Sequence, residues 1–454
     1  MDLNYNSIHG GKVLKGTVTI SGSKNACLPI LAAALLSEET CTFYNVPQLT
    51  DIAYMLELIR DLGAEVKQVD NHTWSITAEH IATDVSSGFT QQIRASVYLL
   101  GALLGRHHKA FVRTAGGCQL GERSIDIHLR AFKTLGASIT QLPDATYLYA
   151  SSLKGATFSM RGPRGSTVTG TANAILAAVL AQGESMILDA AREPEIVSLC
   201  LFLKQMGAQI EGIGTTQLRI CGVSSLHGAD FTIPPDRIEA STFFILGLLL
   251  GDTLRIVNAP REALSGFHKI LPHGKHCYHW EGQELVVRRV EDLLPFTLHT
   301  SPYPGFPTDL QAQIAVLASQ IHGVSKIYDP VFPERFAYID ALCRLGMDIN
   351  TVGYGAIAIK GKKKLKGGEI VATDLRAGAA MCLAALVADG ETVIGRADYI
   401  DRGYEHFEAK LSALGASIQR ETKISFIENT TPQPIIIAVP ETESDFRPFS
   451  KNSY

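Results

Sequence analysis

The chain has 454 residues, 46% hydrophobic and 19% charged, with a formal net charge of −4. That balance excludes long disorder and a broadly basic nucleic-acid surface, and the longest apolar stretch, 240–251, is too short for a membrane span and carries Ser and Thr. The eight cysteines are scattered without C-x-x-C spacing and the N-terminus is polar, so the expectation is a cytoplasmic protein with no metal, no nucleic-acid partner and no membrane partner.

One signature recurs along the chain. A helical apolar pattern leads into Leu-Gly-Ala or a close variant, and a strand follows. It stands at Leu62-Gly63-Ala64, Leu135-Gly136-Ala137, Met206-Gly207-Ala208, Leu345-Gly346-Met347 and Leu414-Gly415-Ala416. Neighbouring copies lie about 70 residues apart, except for one double gap. A degraded member is expected in that gap, near Leu271-Pro272-His273-Gly274, where the helix pattern of 263–271 survives without the glycine-strand signature.

In the first unit, Thr17-Val18-Thr19-Ile20 reads as a strand, 25–36 as an Ala/Leu-rich helix and 41–46 as a strand. Residues 51–62 read as a helix, and 66–69 with 73–76 as a hairpin around Asp70-Asn71. The glycine after each helix supplies the left-handed residue that a helix stop needs. Six βαβαββ units define an α/β fold. Units this small must pool their helices in shared cores, which predicts two lobes of three. Ile233-Pro234-Pro235-Asp236-Arg237 reads as one lobe crossing, because two prolines forbid helix, and Ile20-Ser21-Gly22-Ser23 as the other. The expected lobes are 21–233, and 1–20 joined to 234–454.

Three segments break the repeat. The His-rich stretch 273–279 matches no zinc spacing. The lysine run 360–368 reads as a solvated hairpin. The tail after 421 carries one strand-like run, 435–439.

The stretch Thr114-Ala115-Gly116-Gly117-Cys118-Gln119-Leu120-Gly121-Glu122-Arg123 combines three glycines, one thiol and one guanidinium. It reads either as a surface turn with a buried thiol or as a mobile lid carrying a reactive group. Ser21-Gly22-Ser23-Lys24-Asn25 opens an apolar helix, either as an anion-binding helix start or as an ordinary N-cap with an exposed lysine. Arg94, Arg123, Arg335, Arg376 and Arg402 stand near strand-to-helix junctions, where repeated units can converge them on a dianion. Asp309, in Pro304-Gly305-Phe306-Pro307-Thr308-Asp309, is either an N-cap or a carboxylate held still to take a proton.

These motifs, with Arg94-Ala95-Ser96, Ala191-Arg192-Glu193-Pro194-Glu195-Ile196, Pro235-Asp236-Arg237-Ile238-Glu239, Asp374-Leu375-Arg376-Ala377-Gly378 and Asp401-Arg402-Gly403-Tyr404-Glu405, resemble the enolpyruvyl transferases. The likeness runs from about Gly10 to Arg420 and is to the UDP-N-acetylglucosamine (MurA-type) branch rather than the EPSP synthase branch. It implies a two-lobe inside-out α/β barrel that moves the enolpyruvyl group of phosphoenolpyruvate to the sugar 3-hydroxyl of UDP-N-acetylglucosamine, releasing phosphate, in peptidoglycan precursor synthesis. It implies no cofactor, and a monomer or weak homo-oligomer is expected.

By the same resemblance, Lys24, Arg123 and Arg402, with Arg94 and Arg376 nearby, are phosphoenolpyruvate ligands. Cys118 is the loop thiol, acting as acid or adduct-forming nucleophile and alkylated by fosfomycin. Asp309 is the base facing the sugar hydroxyl, so that Cys118, Asp309, Lys24 and Arg402 form the catalytic set. Asn25 and Arg94 belong to the sugar side. Arg123-Ser124-Ile125-Asp126-Ile127, Ser166-Thr167-Val168-Thr169 and Val331 are uridine and diphosphate contacts.

The chain departs from the family pattern at Ser124 (for Pro), Thr169 (for Gly), Pro333-Glu334 (for Glu-Asn), Tyr399 (for His) and Tyr98 (for Trp). The lysine before the diphosphate turn is absent, with Arg164 as its substitute. The departures cluster on the nucleotide-sugar side. They leave open a different uridine nucleotide such as UMP as acceptor, or a non-catalytic UDP-sugar-binding paralogue.

Overall fold

The computed structural model describes residues 3–85, 88–113, 125–271 and 277–423. Among them stand six four-stranded sheets of one topology, and a two-stranded ribbon, Arg161–Gly162 with Gly165–Ser166. In each four-stranded sheet a first strand runs parallel to a second. The second is antiparallel to an inner strand, which pairs antiparallel with the edge strand; these two form a hairpin in five of the sheets, whereas in the sixth the inner strand is Leu3–His9 and the edge strand Ser417–Lys423. Asp230–Thr232, Cys41–Tyr44, Thr73–Thr77 and Glu65–Asp70 form one such sheet. Leu14–Thr19, Gly251–Val257, Glu284–Val287 and Tyr278–Glu281 form another, in the unit whose signature is degraded.

The sheets lie outside and helices fill the interior. All fourteen residues of Arg237–Leu250 are buried, as are all nine of Gln311–Ser319. Helices buried on every side in this way lie in the interior and present no face to water. Helices Tyr98–His107 and Val168–Ala178 pack closely because glycine lets their backbones approach. A Cβ at Gly101 would lie 2.6 Å from the Asn173 carbonyl oxygen. This is an inside-out α/β barrel arrangement. Among the described residues, no helix is long and apolar enough to cross a membrane.

Two separate hydrophobic cores form. One is built between Ala26 and Ile233. The other joins Ile8, Leu14, Val18 and Ile20 to residues from Ile238 to Ile418. The chain passes between them at two adjacent strands. Gly22 bridges Pro235, the Ser23 N–H donates to the Pro234 carbonyl at 2.7 Å, and the Asp236 N–H donates to the Ser21 carbonyl at 2.8 Å.

The glycine stops adopt the left-handed conformation that the repeat requires. Their φ values are +100° at Gly63, +104° at Gly136, +100° at Gly207, +97° at Gly346 and +94° at Gly415. Three expectations need correction. The strand at 17–20, read into the first unit although the expected lobes joined 1–20 to 234–454, does not pair within that unit: Leu14–Thr19 crosses to run parallel with Gly251–Val257, while Asp230–Thr232 takes its place beside Cys41–Tyr44. Residues 263–271 are not a continuous helix. Two 3₁₀ turns, Arg261–Leu264 and Phe267–Lys269, flank Gly266 at φ +81°, a site so tight that a Cβ would lie 2.8 Å from the Phe306 backbone. The lysine run is not a hairpin either. Ala356–Gly361 and Glu369–Val371 belong to different sheets, so the run links two units, tied by Lys363 to Asp348 at 3.1 Å. The strand expected at 435–439 and most of the His-rich segment lie outside the described residues. Of that segment's described end, Cys277 is buried and His279 Nε2 pairs with Glu281 at 2.8 Å.

Candidate active site

Ser23 caps the helix Lys24–Ala33, its hydroxyl accepting from the Ala26 N–H at 3.3 Å. The cap leaves Lys24 at the start of the helix, but not as an exposed surface charge. It is 8% exposed, and its Nζ lies 3.1 Å from Asp51 Oδ2. The other oxygen of Asp51 accepts from Arg402 Nε at 2.8 Å. Arg402 comes from the opposite core and also donates to the Gln92 carbonyl at 3.3 Å. Two cations from different lobes therefore converge on one buried carboxylate. Arg94 opens a 3₁₀ turn, Arg94–Val97, two residues beyond Gln92. Asn25, next to Lys24, is half-buried.

Asp309 is not an N-cap. It sits in the 3₁₀ turn Thr308–Leu310, and its carboxylate is gripped by two guanidiniums. Arg335 Nη1 is 2.6 Å from Oδ1, and Arg376 Nη2 is 3.3 Å from Oδ2. Both arginines are buried, while the Asp309 side chain keeps 27% exposure. Burial pushes the Asp309 carboxyl up, but the charges of Arg335, Arg376 and Lys24 outweigh it and hold it well below the usual carboxylate range. The reach of Lys24 places its cluster beside this one. Arg376 is fixed in turn: Asp374 caps its helix, accepting from the Arg376 N–H at 2.8 Å, and its guanidinium lies 5.3 Å from the Tyr404 ring centroid.

A second group forms on the face carrying 125–127 and 166–169. Ile125 precedes the helix Asp126–Thr134, and Ile127 abuts Gly162 of the 161–166 ribbon so closely that a Cβ there would meet it at 2.4 Å. Thr167 caps the helix Val168–Ala178, its hydroxyl accepting from the Gly170 N–H at 3.3 Å. Thr169 is held by His128, whose Nε2 is 3.1 Å from Thr169 Oγ1. Asn173 Nδ2 donates to His128 Nδ1 at 2.9 Å, so the ring proton sits on Nε2 and points at the threonine. Burial, then the charge of Arg94, pushes His128 down to about 3, so the ring stays neutral. Ser166 pairs with Arg161 in the ribbon, and Arg164 Nη1 lies 3.5 Å from the Val331 carbonyl. Cys118, Arg123 and Ser124 lie outside the described residues.

Sequence reasoning passed over several residues at this site. Asp51 reads locally as an acid in the first turn of the helix Thr50–Asp61, a common dipole partner. Its real partners stand 27 and 351 positions away. Glu405 is another: its Oε2 accepts from Ser21 Oγ and its Oε1 from the Gln48 N–H, both at 2.5 Å, joining the two lobes. The Arg237–Glu195 pair, at 2.9 Å and almost wholly buried, is a third inter-lobe tie. It borders a cavity of about 370 Å³ lined also by Arg192, Pro235 and Tyr303.

The site therefore brings together clustered cations, the carboxylates of Asp51 and Asp309 and the start of the helix Lys24–Ala33. Residues 8–411 match the family model described as EPSP synthase (3-phosphoshikimate 1-carboxyvinyltransferase), and the chain belongs to that family. A protein of Methylacidiphilum infernorum, named UDP-N-acetylglucosamine 1-carboxyvinyltransferase, is 42% identical over 413 residues, covering 91% of this chain and 98% of that one. One from Bacillus subtilis, named UDP-N-acetylglucosamine 1-carboxyvinyltransferase 2, is 40% identical over 416 residues, covering 91% and 96%. Among solved structures, the enolpyruvyl transferase NikO from Streptomyces tendae superposes with a TM-score of 0.83 at 25% identity, covering 93% of this chain and all of that one. EPSP synthase from Acinetobacter baumannii shares the fold, with a TM-score of 0.70 at 17% identity over 92% of this chain and 100% of that one.

Proposed function

We infer that this chain transfers the enolpyruvyl group of phosphoenolpyruvate to the 3-hydroxyl of UDP-N-acetylglucosamine and releases phosphate. The observation that carries this reading is the identity of 40–43% over about nine-tenths of the chain to relatives named for that acceptor. Such identity outweighs the 25% shared with NikO, despite its close superposition. The lobes proposed for this chemistry, 21–233 and 1–20 with 234–454, follow the two cores.

In this reading Lys24 and Arg402, with Arg94, Arg123 and Arg376, hold the phosphate and carboxylate of phosphoenolpyruvate. The sugar hydroxyl oxygen attacks C2 of phosphoenolpyruvate. Its proton passes toward Asp309, which the two arginines keep ionised while weakening it as a base before substrate binds. Cys118 delivers a proton to the C3 methylene, which becomes a methyl group. The tetrahedral adduct then returns a proton from that methyl group to the Cys118 thiolate and expels phosphate, restoring the double bond and the thiol. Asn25 faces the sugar, while 123–127, 166–169 and Val331 take the uridine and diphosphate. The proposed lid at 114–123 keeps water from the adduct.

The deciding assay measures phosphate release from phosphoenolpyruvate with UDP-N-acetylglucosamine, UMP or shikimate 3-phosphate as acceptor. Release with UDP-N-acetylglucosamine is expected. Release with UMP and none with UDP-N-acetylglucosamine would overturn the acceptor.

A further inference from the structure

We infer that Asp329 is a positioning residue that sets Asp309, Val331 and Arg335 in one arrangement on the acceptor side of the cleft. In its kinetic part this rests on the proposed function; its structural part does not.

Asp329 follows the strand Gly323–Tyr328 and is 0% exposed. A buried carboxylate persists only when hydrogen bonds replace its water. Here four do so, from three separate segments. Oδ1 accepts from Thr300 Oγ1 at 2.7 Å, from the Val331 N–H at 3.1 Å and from the Phe332 N–H at 2.8 Å. Oδ2 accepts from Thr308 Oγ1 at 2.6 Å. Pro330, lacking an N–H, leaves the cap to the two residues after it.

The hydroxyl of Thr308 is the hinge of the arrangement. It donates to Asp329 and accepts from Arg335 Nη1 at 3.3 Å, and the same nitrogen grips Asp309 at 2.6 Å. Thr308 immediately precedes Asp309. The Asp329 carboxylate thus fixes the turn that carries Asp309 and, through the turn 329–332, the start of the segment that carries Arg335. It also fixes the Val331 peptide, whose carbonyl lies 3.5 Å from Arg164 of the opposite lobe. Asp329 acts through Thr308 and the backbone, and its own oxygens are all engaged within the protein. A displacement of the Asp329 side chain would move both partners of the Asp309–Arg335 pair together, and misplacement on the ångström scale is costly in catalysis.

The test compares Thr308→Val, Thr308→Ser and Asp329→Asn with the unaltered chain. It reads kcat and KM for both substrates, and amide hydrogen exchange over 305–310 and 329–336 without substrate. Thr308→Val and Asp329→Asn should lower kcat about tenfold or more while KM for phosphoenolpyruvate stays within about twofold. Both segments should lose protection together, and Thr308→Ser should restore kcat to within about twofold of the unaltered chain. Unchanged kcat with unchanged exchange overturns the inference. So does a parallel loss of kcat and phosphoenolpyruvate affinity with protection lost across the whole lobe, which is the mark of a residue that merely holds the fold. If the unaltered chain transfers nothing to UDP-N-acetylglucosamine, the proposed function falls, and the joint loss of protection still decides the role of Asp329.

Discussion

Replacing Asp51 with Asn tests the convergence of the two lobes on one carboxylate. The change keeps the volume of the side chain and removes its charge. Asp51 lies 3.1 Å from Lys24 and 2.8 Å from Arg402, with side-chain exposures of 8%, 10% and 19% for Asp51, Lys24 and Arg402. At about 3 Å and an effective dielectric constant of about 20, each attraction has a gross value of roughly 5 kcal/mol. Desolvation offsets much of it, and breaking one partner out of a buried pair costs about 3–5 kcal/mol. Asn retains one acceptor oxygen, so the lower end, about 3 kcal/mol, applies. For lobes of this size, about 2–4 °C per kcal/mol gives a fall in Tm of about 6–12 °C.

The same substitution removes one counter-charge that Lys24 and Arg402 share. Added phosphate should therefore stabilise the variant more than the unaltered chain, by mass action on the folded state. Calorimetric melting of both proteins, with and without phosphate, measures both effects. A Tm within about 2 °C of the unaltered chain would show that the triad contributes nothing to holding the lobes together. A phosphate-induced shift no larger than that of the unaltered chain would show that Asp51 does not face the anion site.

Three further outcomes are expected. Asp309→Asn should lower kcat by about 10²–10⁴-fold, and the acid limb of kcat/KM in the unaltered chain should not fall in the usual carboxylate range, because Asp309 stays ionised below it; steady-state pH profiles check both. His128 has a folded-state pKa of about 3 against an ordinary 6.5, so the unfolded chain binds the extra proton as pH falls. Its contribution to stability is present above 6.5 and is lost toward 3 at up to about 1.4 kcal/mol per pH unit, and His128→Gln should flatten that slope in denaturant titrations. Gly22→Ala places a Cβ 2.0 Å from the Asn45 carbonyl at the lobe crossing and should destabilise by about 3 kcal/mol or more, measured by urea unfolding.

The sequence by itself determined the features that depend on near neighbours. The repeat showed as a helix pattern closed by a glycine, and those glycines are left-handed because each ends a helix before a strand turns back. Pro234 and Pro235 marked a crossing because proline acts on the backbone at its own position. Lys24, Asp309, Arg376 and Arg402 could be singled out because each stands in a distinctive local turn.

Partnership was decided only by the tertiary structure. Local pattern read 17–20 into the first unit, although the expected lobes joined 1–20 to 234–454; its actual partner, Gly251–Val257, stands more than two hundred residues on, because equivalent strands of different units are interchangeable until the lobes pack. Residues 263–271 kept a helical pattern, but the close approach of Phe306 to Gly266 imposed two short turns instead. Asp309 had the position of an N-cap and became the counter-charge of Arg335 and Arg376. Asp51 and Asp329 drew no reading from their neighbours along the chain, and folding made each the meeting point of distant segments. A side chain's propensity is written in its neighbours along the chain, whereas the charge it faces is chosen by whichever residues desolvate beside it, and that choice is made only when the sheets close around the helices.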